Sequence, residues 1–257
     1  MLRFCRYLSK SKKTPTPPIP KWNVQAIYEK YSALLREDGL NEKQISTFLS
    51  GSKKLYTGLS FNDAKLQTIK NLGLVRHGDS KEYWQPELKT LRPSEEFKKF
   101  LNEAPDVWGL TNEAAKRVVI NMFLHEVVTH LSTINEEGKR IYPVKLWCEL
   151  WIQRNDVQGK VDYVGGKRAD EPEAPYVVVV QAKMEWPDDA YCQLLAEMYA
   201  VMMENARNQA VFGALTNESF WQFYKLDTDL KWYQSRPYVR IENTEEILGI
   251  LAAMLQR

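Results

Sequence analysis

The sequence predicts an α/β domain preceded by a mainly helical extension. Residues 159–163 and 176–185 are rich in Val and Tyr and are bounded by Gly, Pro and charged residues, which is typical of strands. Residues 112–136 and 188–205 instead repeat apolar side chains at helical spacing. Helices and strands therefore succeed one another along residues 112–257.

The first helix of this domain is predicted at residues 112–136 and the first strand at residues 145–154. The helix carries one apolar stripe, made of Val118, Met122, Phe123, Val127, Leu131 and Ile134. The strand alternates two sets of side chains, Leu146, Cys148, Leu150 and Ile152 against Trp147, Glu149, Trp151 and Gln153. This alternation predicts a strand with one buried face. Residues 155–159 then form the turn into the second strand.

The later elements complete the domain. Residues 188–205 predict a second helix, which has an acidic first turn. Residues 209–215 and 219–226 predict a fourth strand and its hairpin partner. A short strand at 238–241 and a capped helix at 244–256 end the chain.

Residues 22–111 form the extension, and residues 1–21 form a basic leader. Helices in the extension are predicted at 23–36, 41–49, 61–72 and 94–101. The net charge of the extension is only +1, which favours a role in covering the sheet over docking a nucleic acid or another partner. The leader has a net charge of +6 and no acid, and it is either a disordered basic segment or a mitochondrial transit peptide.

Polar residues stand at the ends of the two Val-rich strands. Asp162 lies in the second strand, and Gln181, Lys183 and Glu185 share one face of the third, because strand side chains alternate. Such residues are costly to bury unless a partner pairs with them. A Mg²⁺ ion held by carboxylates, together with a phosphate, is one such partner. The ion would polarise the phosphoryl oxygen and activate a water molecule, and the ammonium of Lys183 would stabilise developing charge.

This arrangement resembles the PD-(D/E)XK phosphodiesterase superfamily, the restriction-endonuclease-like fold. Asp162 matches the Asp of the family pattern and Lys183 matches its Lys, whereas Gln181 stands where an acidic residue is expected. The resemblance covers roughly residues 112–226. It implies a core of helix, three strands, helix and strand, with a mixed sheet flanked by helices. It also implies Mg²⁺ or Mn²⁺ as cofactor and DNA or RNA as partner.

The resemblance assigns further roles within the site. The first helix of the family often supplies a Glu to the metal, and Glu126 is the candidate for it here. Some members carry a Gln in the second helix, a place that Gln193 occupies. Asp162, Gln181 and Glu126 would then hold the metal, and Glu185 would supply the charge that Gln181 lacks. Glu197 stands where one subgroup has a Tyr, so the subgroup stays open.

Each of these residues also has a structural interpretation. Asp162 is either a ligand or a hairpin residue paired with Lys160 or Lys183, and such pairs contribute little at a surface. Glu126 is either a ligand or a helix-surface residue. Gln193 and Glu197 are one helical turn apart, a spacing that more often marks a solvated face.

Other classes of protein are disfavoured. The three cysteines have no paired spacing, which argues against a zinc site or a disulfide framework and favours an intracellular location. No apolar run is long enough for a transmembrane helix, and the Gly165-Gly166-Lys167 run lacks P-loop spacing. Residues 112–257 have a net charge of −5, so this half lacks a strongly basic nucleic-acid footprint.

Two functions are consistent with these features. The first is a metal-dependent nuclease that hydrolyses phosphodiester bonds in DNA or RNA. The second is a nuclease-like domain that no longer cuts and instead binds nucleic acid or a protein partner. Convergence of Glu126, Asp162 and the side-chain carbonyl of Gln181 at metal-binding distance would favour the first.

Overall fold

A computed structural model of the chain describes residues 59–77, 90–154, 157–167, 174–183 and 188–257, together with positions 36, 172 and 185. Contacts divide the chain into two units, Met1–Tyr56 and Thr57–Arg257, and the architecture below is that of the second unit. The leader and the predicted helices at 23–36 and 41–49 lie outside the described residues, apart from Arg36.

Five helices and ten strands make up this unit as far as the structure describes it. The helices are α1 (Leu66–Asn71), α2 (Glu95–Val107), α3 (Glu113–Leu131), α4 (Ala190–Glu204) and α5 (Arg240–Leu255), and a 3₁₀ turn spans Phe61–Asp63. The strands are β1 (Leu59–Ser60), β2 (Val75–Arg76), β3 (Thr133–Ile134), β4 (Arg140–Ile141), β5 (Val144–Arg154), β6 (Val157–Lys167), β7 (Tyr176–Ala182), β8 (Val211–Thr216), β9 (Phe220–Leu226) and β10 (Lys231–Val239).

Eight of the strands form one mixed sheet. The antiparallel hairpin of β5 and β6 stands at one side, and β7, β8, β9, β10 and β2 follow in that order. The pairs β7–β8 and β10–β2 are parallel, whereas β6–β7, β8–β9 and β9–β10 are antiparallel. The short β1 adds to β6 in parallel, and β3 and β4 form a separate hairpin.

Helices cover both faces of the sheet. On one face α2, α3 and α5 pack against a core that contains Val178 and Val180 of β7, and on the other face α4 packs against a core that contains Val179. All seven residues of β7 are buried, which explains why this strand is a nearly continuous apolar run rather than an alternating one. The prediction of an α/β domain with a mixed sheet flanked by helices is confirmed.

Local signals explain where the helices begin. The hydroxyl of Ser94 accepts a hydrogen bond from the backbone N–H of Phe97 (3.2 Å) at the start of α2. The side chain of Asn112 accepts one from Ala115 (2.9 Å) at the start of α3. Both residues are N-caps that satisfy backbone donors left free in a first helical turn. The predicted helix at 61–72 is instead a 3₁₀ turn followed by α1.

Helix α4 is held very close to the sheet. Its side chains are buried around most of its circumference, including Cys192, Leu194, Met198 and Val201. Gly213 of β8 makes this approach possible, because a Cβ there would lie 2.4 Å from the sulfur of Met198. The close packing fixes the polar residues of α4 against the ends of β6 and β7.

Among the described residues, no helix is both long and apolar enough to cross a membrane.

Candidate functional site

The predicted Asp and Gln come together where the ladder between β6 and β7 ends. Tyr163 pairs with Val180 in the β6–β7 ladder, so Asp162 and Gln181 are neighbours one step further along. Both residues are buried, with exposed fractions of 8% and 3%. Lys183 follows directly after β7 and is half-buried, and its backbone N–H donates to the carbonyl of Thr216 (2.8 Å).

The ladder between β5 and β6, on the other side of Asp162, is interrupted at this residue. Cys148 pairs with Tyr163 and Leu150 pairs with Val161, but Glu149 between them has a left-handed backbone with φ of 52°. This conformation is uncommon for a residue other than glycine, and it tends to occur at functional sites.

The carboxylate of Asp162 accepts hydrogen bonds from three groups. Its Oδ2 accepts hydrogen bonds from the side-chain amide of Gln181 (2.5 Å) and from the backbone N–H of Ala182 (2.8 Å). Its Oδ1 forms an ion pair with the guanidinium of Arg117. Burial raises the pKa of Asp162, and the charge of Arg117 and the hydrogen bond from Ala182 oppose that shift. The charged partner and the donors favour the ionised form, against the effect of burial.

Arg117 reaches this carboxylate from the first turns of α3. Its guanidinium also contacts Glu113 (2.9 Å), one helical turn earlier, and Glu149 (3.5 Å) of β5. Arg117 is not among the residues that the sequence predicts for the site. The i,i+4 pairing of Glu113 with Arg117 is visible in the sequence, but it is a common surface pattern and does not indicate a buried partner.

Helix α4 extends the network with amide and carboxyl groups. The amide N–H₂ of Gln193 donates to the Oε1 of Gln181 (2.9 Å) and to the Oε1 of Glu197 (2.9 Å). The ammonium of Lys183 donates to the Oε1 of Gln193. Gln193 is 8% exposed and Glu197 is completely buried, so the interpretation of these two residues as a solvated helix face is wrong.

Glu197 is the second carboxyl group of the network and was not selected as a site residue. Complete burial, followed by the nearby charge of Asp162, raises its pKa well above the ordinary value. This shift favours the protonated form of the carboxyl group. Its Oε2 has no hydrogen-bond partner in the part of the chain that the structure describes. The signal available in the sequence was a lone Glu within an apolar stretch of α4.

We refer to Arg117, Asp162, Gln181, Lys183, Gln193 and Glu197 as the Asp162 cluster. Four of these residues were predicted from the sequence, and two were added by the fold. The cluster contains two cationic side chains, Arg117 and Lys183, and two carboxyl groups, those of Asp162 and Glu197. Glu113, Glu149 and Lys160 lie at its rim.

The structure does not bring Glu126 to this cluster. Its carboxylate accepts hydrogen bonds from the backbone N–H (2.6 Å) and the hydroxyl (3.0 Å) of Ser94 at the start of α2. Glu126 lies nine residues after Arg117 in α3, a rise of about 13.5 Å along the helix. The carboxylate of α3 that lies near Asp162 is Glu113.

Glu185 also lies outside the cluster. Strand β7 ends at Ala182, so the alternation that would place Glu185 on the face of Gln181 and Lys183 does not continue to it. Its side chain is exposed.

A divalent cation does not fit this donor set in the arrangement described. Mg²⁺ in proteins takes oxygen ligands that include one or two carboxylates. Both oxygens of Asp162 already accept hydrogen bonds, Gln181 directs its N–H₂ toward them, and burial raises the pKa of Glu197. Within the described ranges, no group of three or more His, Cys, Asp or Glu side chains is arranged to hold a metal ion. The Mg²⁺ or Mn²⁺ site stays a prediction.

No protein-family model and no curated protein matches this sequence.

Proposed function

We propose that this chain is a restriction-endonuclease-like domain that binds the backbone of a nucleic acid at the Asp162 cluster without a resident divalent cation. The observation that carries the proposal is the ion pair between Arg117 and Asp162, which puts a guanidinium beside the carboxylate expected to hold the metal. The side-chain amide of Gln181 supports it, because it donates to that carboxylate instead of offering an oxygen to an ion.

The order of elements supports the fold assignment. Apart from the short hairpin of β3 and β4 between α3 and β5, the elements α3, β5, β6, β7, α4 and β8 follow in the order helix, three strands, helix, strand. The resemblance assigns three site residues to these elements: Asp162 in β6, Lys183 directly after β7 and Gln193 in α4. Their side chains belong to one hydrogen-bonded network.

Cationic side chains of the cluster and its rim offer donors to an anion. Arg117 and Lys183 lie in the cluster, and the carboxylates of Asp162, Glu113 and Glu149 that pair with Arg117 balance part of this charge. Lys160, 61% exposed, is paired with Glu149 at the surface, and a pair of this kind contributes little and exchanges readily. Arg117, Lys160 and Lys183 thus provide three cations for phosphate oxygens, which guanidinium and ammonium groups bind through charge-assisted hydrogen bonds.

Binding is tested by fluorescence anisotropy with labelled single-stranded and double-stranded DNA and RNA, in Mg²⁺ and in EDTA. We expect that Mg²⁺ does not strengthen binding and that no cleavage occurs. For three phosphate contacts on a single strand, the logarithm of the association constant should fall against the logarithm of salt concentration with a slope of about −2.

Two matched variants place the binding at the cluster. Lys183→Ala should weaken binding and reduce the salt slope by about 0.7, the value of one phosphate contact on a single strand. Lys139→Ala removes the same charge from the exposed turn between β3 and β4 and should change neither quantity. Equal effects of the two substitutions would overturn the assignment of the cluster as the binding site.

The second candidate function is metal-dependent hydrolysis, favoured by the network that joins Asp162, Gln181, Lys183 and Gln193. Titration with Mn²⁺, followed by electron paramagnetic resonance, separates the two functions without relying on activity. We expect the wild type to bind no Mn²⁺ at the cluster, and Arg117→Met combined with Gln181→Glu to gain a site. Mn²⁺ binding and cleavage by the wild type, both lost in Asp162→Asn, would establish the nuclease instead.

A further inference from the structure

A cavity of about 540 Å³ opens beside the first turn of α4, and it is lined by side chains of α1, α4, β8, β9, β10 and β2. We call it the Trp232 pocket after the residue in its floor. Its volume lies within the range of about 300–1,000 Å³ that is usual for sites of small molecules. Its lining includes the polar and aromatic side chains of Lys70, Arg76, Tyr191, Gln222, Tyr224 and Trp232.

The pocket lies on the same face of the sheet as the polar residues of α4 and close to the Asp162 cluster. Gln181 of β7 pairs with Leu215 of β8, which in turn pairs with Gln222 of β9. Residues paired across neighbouring strands point to the same face, and strands are about 4.8 Å apart. Gln222 in the pocket is therefore two strands, or about 10 Å, from Gln181 in the cluster.

Aromatic rings form one side of the pocket. The ring of Tyr191 stacks on that of Trp232, with centroids 5.7 Å apart and planes at 29°. Trp232 is almost completely buried and also contacts the buried ring of Tyr224 at 6.4 Å. Tyr191 is only partly buried, so it is the end of the stack that a ligand ring can extend.

Cations and amides form the remainder of the lining. The guanidinium of Arg76 lies over the ring of Trp232 at 5.5 Å, and the exposed Lys70 stands on the same rim. Among the described lining residues these two cations face a single carboxylate, that of Asp188. The amide of Gln222 donates to the carbonyl of Ser235 (3.1 Å) and accepts from the hydroxyl of Tyr224 (2.9 Å), which fixes a polar edge in the floor.

We infer that the Trp232 pocket binds one unstacked base of a single-stranded nucleic acid, while the neighbouring phosphates lie on the Asp162 cluster. This inference rests on the proposed function and adds the form of the nucleic acid. Base stacking on an aromatic ring is tolerant of sequence and is combined with cationic groups for the backbone, the combination found here. A base in a duplex must be extruded before it enters such a pocket, so single strands are the preferred partner.

The inference predicts a specific dependence on the ring of Tyr191. Tyr191→Leu should weaken the binding of a single-stranded oligonucleotide about tenfold, the value of one lost base–aromatic stack. Tyr191→Phe keeps the ring and should retain the wild-type affinity. Trp151→Leu removes an aromatic ring that is 58% exposed on β5, away from the pocket, and should also leave the affinity unchanged.

Photocrosslinking with an oligonucleotide and with a mononucleotide, both containing 4-thiouracil, locates the base directly. Crosslinks in peptides that contain Tyr191 or Trp232, reduced in Tyr191→Leu, would support the inference. Oligonucleotide binding that withstands Tyr191→Leu, with crosslinks elsewhere, would overturn the pocket assignment and leave the proposed function intact. Absence of oligonucleotide binding, with mononucleotide crosslinks at Tyr191, would overturn the proposed function and retain the pocket. Absence of both would overturn both.

Discussion

Glu197 offers the sharpest test of the electrostatics of the Asp162 cluster. Its carboxyl group is completely buried, and its pKa is raised well above the ordinary value by that burial. In the unfolded chain a Glu titrates near pH 4.3. Above that pH the native state therefore holds one proton more than the unfolded state, and stability falls as pH rises. The contribution of Glu197 is fully favourable below the unfolded pKa and is lost progressively up to the folded pKa.

Glu197→Gln removes this titration while keeping the shape of the side chain and an oxygen for the amide of Gln193. For one proton, the ratio of the unfolding constants of wild type and variant should rise with pH, by up to about tenfold for each pH unit, between the unfolded and the folded pKa. Urea denaturation at pH 5, 6, 7 and 8 measures this ratio. We expect the variant to be more stable than the wild type at pH 7, by a margin that shrinks toward pH 5.

The matched control is Glu204→Gln, which removes a carboxylate from the last turn of the same helix. Its side chain is 30% exposed and pairs with Arg154. The reasoning is refuted if the stability difference between Glu197→Gln and the wild type is constant across this pH range, because the carboxyl group would then be ionised in the folded protein. Identical pH profiles for Glu197→Gln and Glu204→Gln would likewise show that the carboxyl group of Glu197 is ionised in the folded protein.

Two further predictions concern the scaffold. Gly213→Ala should destabilise the protein by about 1–3 kcal/mol in urea denaturation, because its Cβ meets Met198 at 2.4 Å. Gly109→Ala, where a Cβ meets nothing within 4 Å, should change stability by less than about 0.5 kcal/mol. Glu126→Ala should lower the free energy of unfolding by about 1–2 kcal/mol, because its hydrogen bonds to Ser94 are lost, and should leave oligonucleotide affinity unchanged. A loss of oligonucleotide binding in this variant would show that Glu126 belongs to the site.

The strand positions of the cluster were predictable because they depend on local rules. Asp162 and Lys183 stand at the ends of apolar segments, and strand alternation puts Gln181 and Lys183 on one face. The ladder between β6 and β7 then makes Asp162 and Gln181 neighbours. Alternation failed for Glu185 because it holds only while the strand continues, and β7 ends three residues earlier.

The helix positions were less accessible to sequence reasoning. Helical periodicity predicts that α3 packs on the sheet, but it does not fix which turn lies beside the end of β6. Glu126 was predicted as a metal ligand because apolar residues surround it in the sequence. In the structure its carboxylate instead contacts the start of α2. Arg117, two and a half turns earlier, makes the contact with Asp162.

The sequence by itself determined the α/β class, the order of its main elements and the alignment of Asp162, Gln181 and Lys183. These features follow from side-chain periodicity and from residue preferences that act over a few neighbouring positions. Only the tertiary structure decided that Arg117 pairs with Asp162, that Glu197 is buried and has a raised pKa, and that a pocket with an aromatic wall lies two strands away. Those outcomes depend on how far each helix is displaced along the sheet, which long-range packing sets and no local pattern encodes.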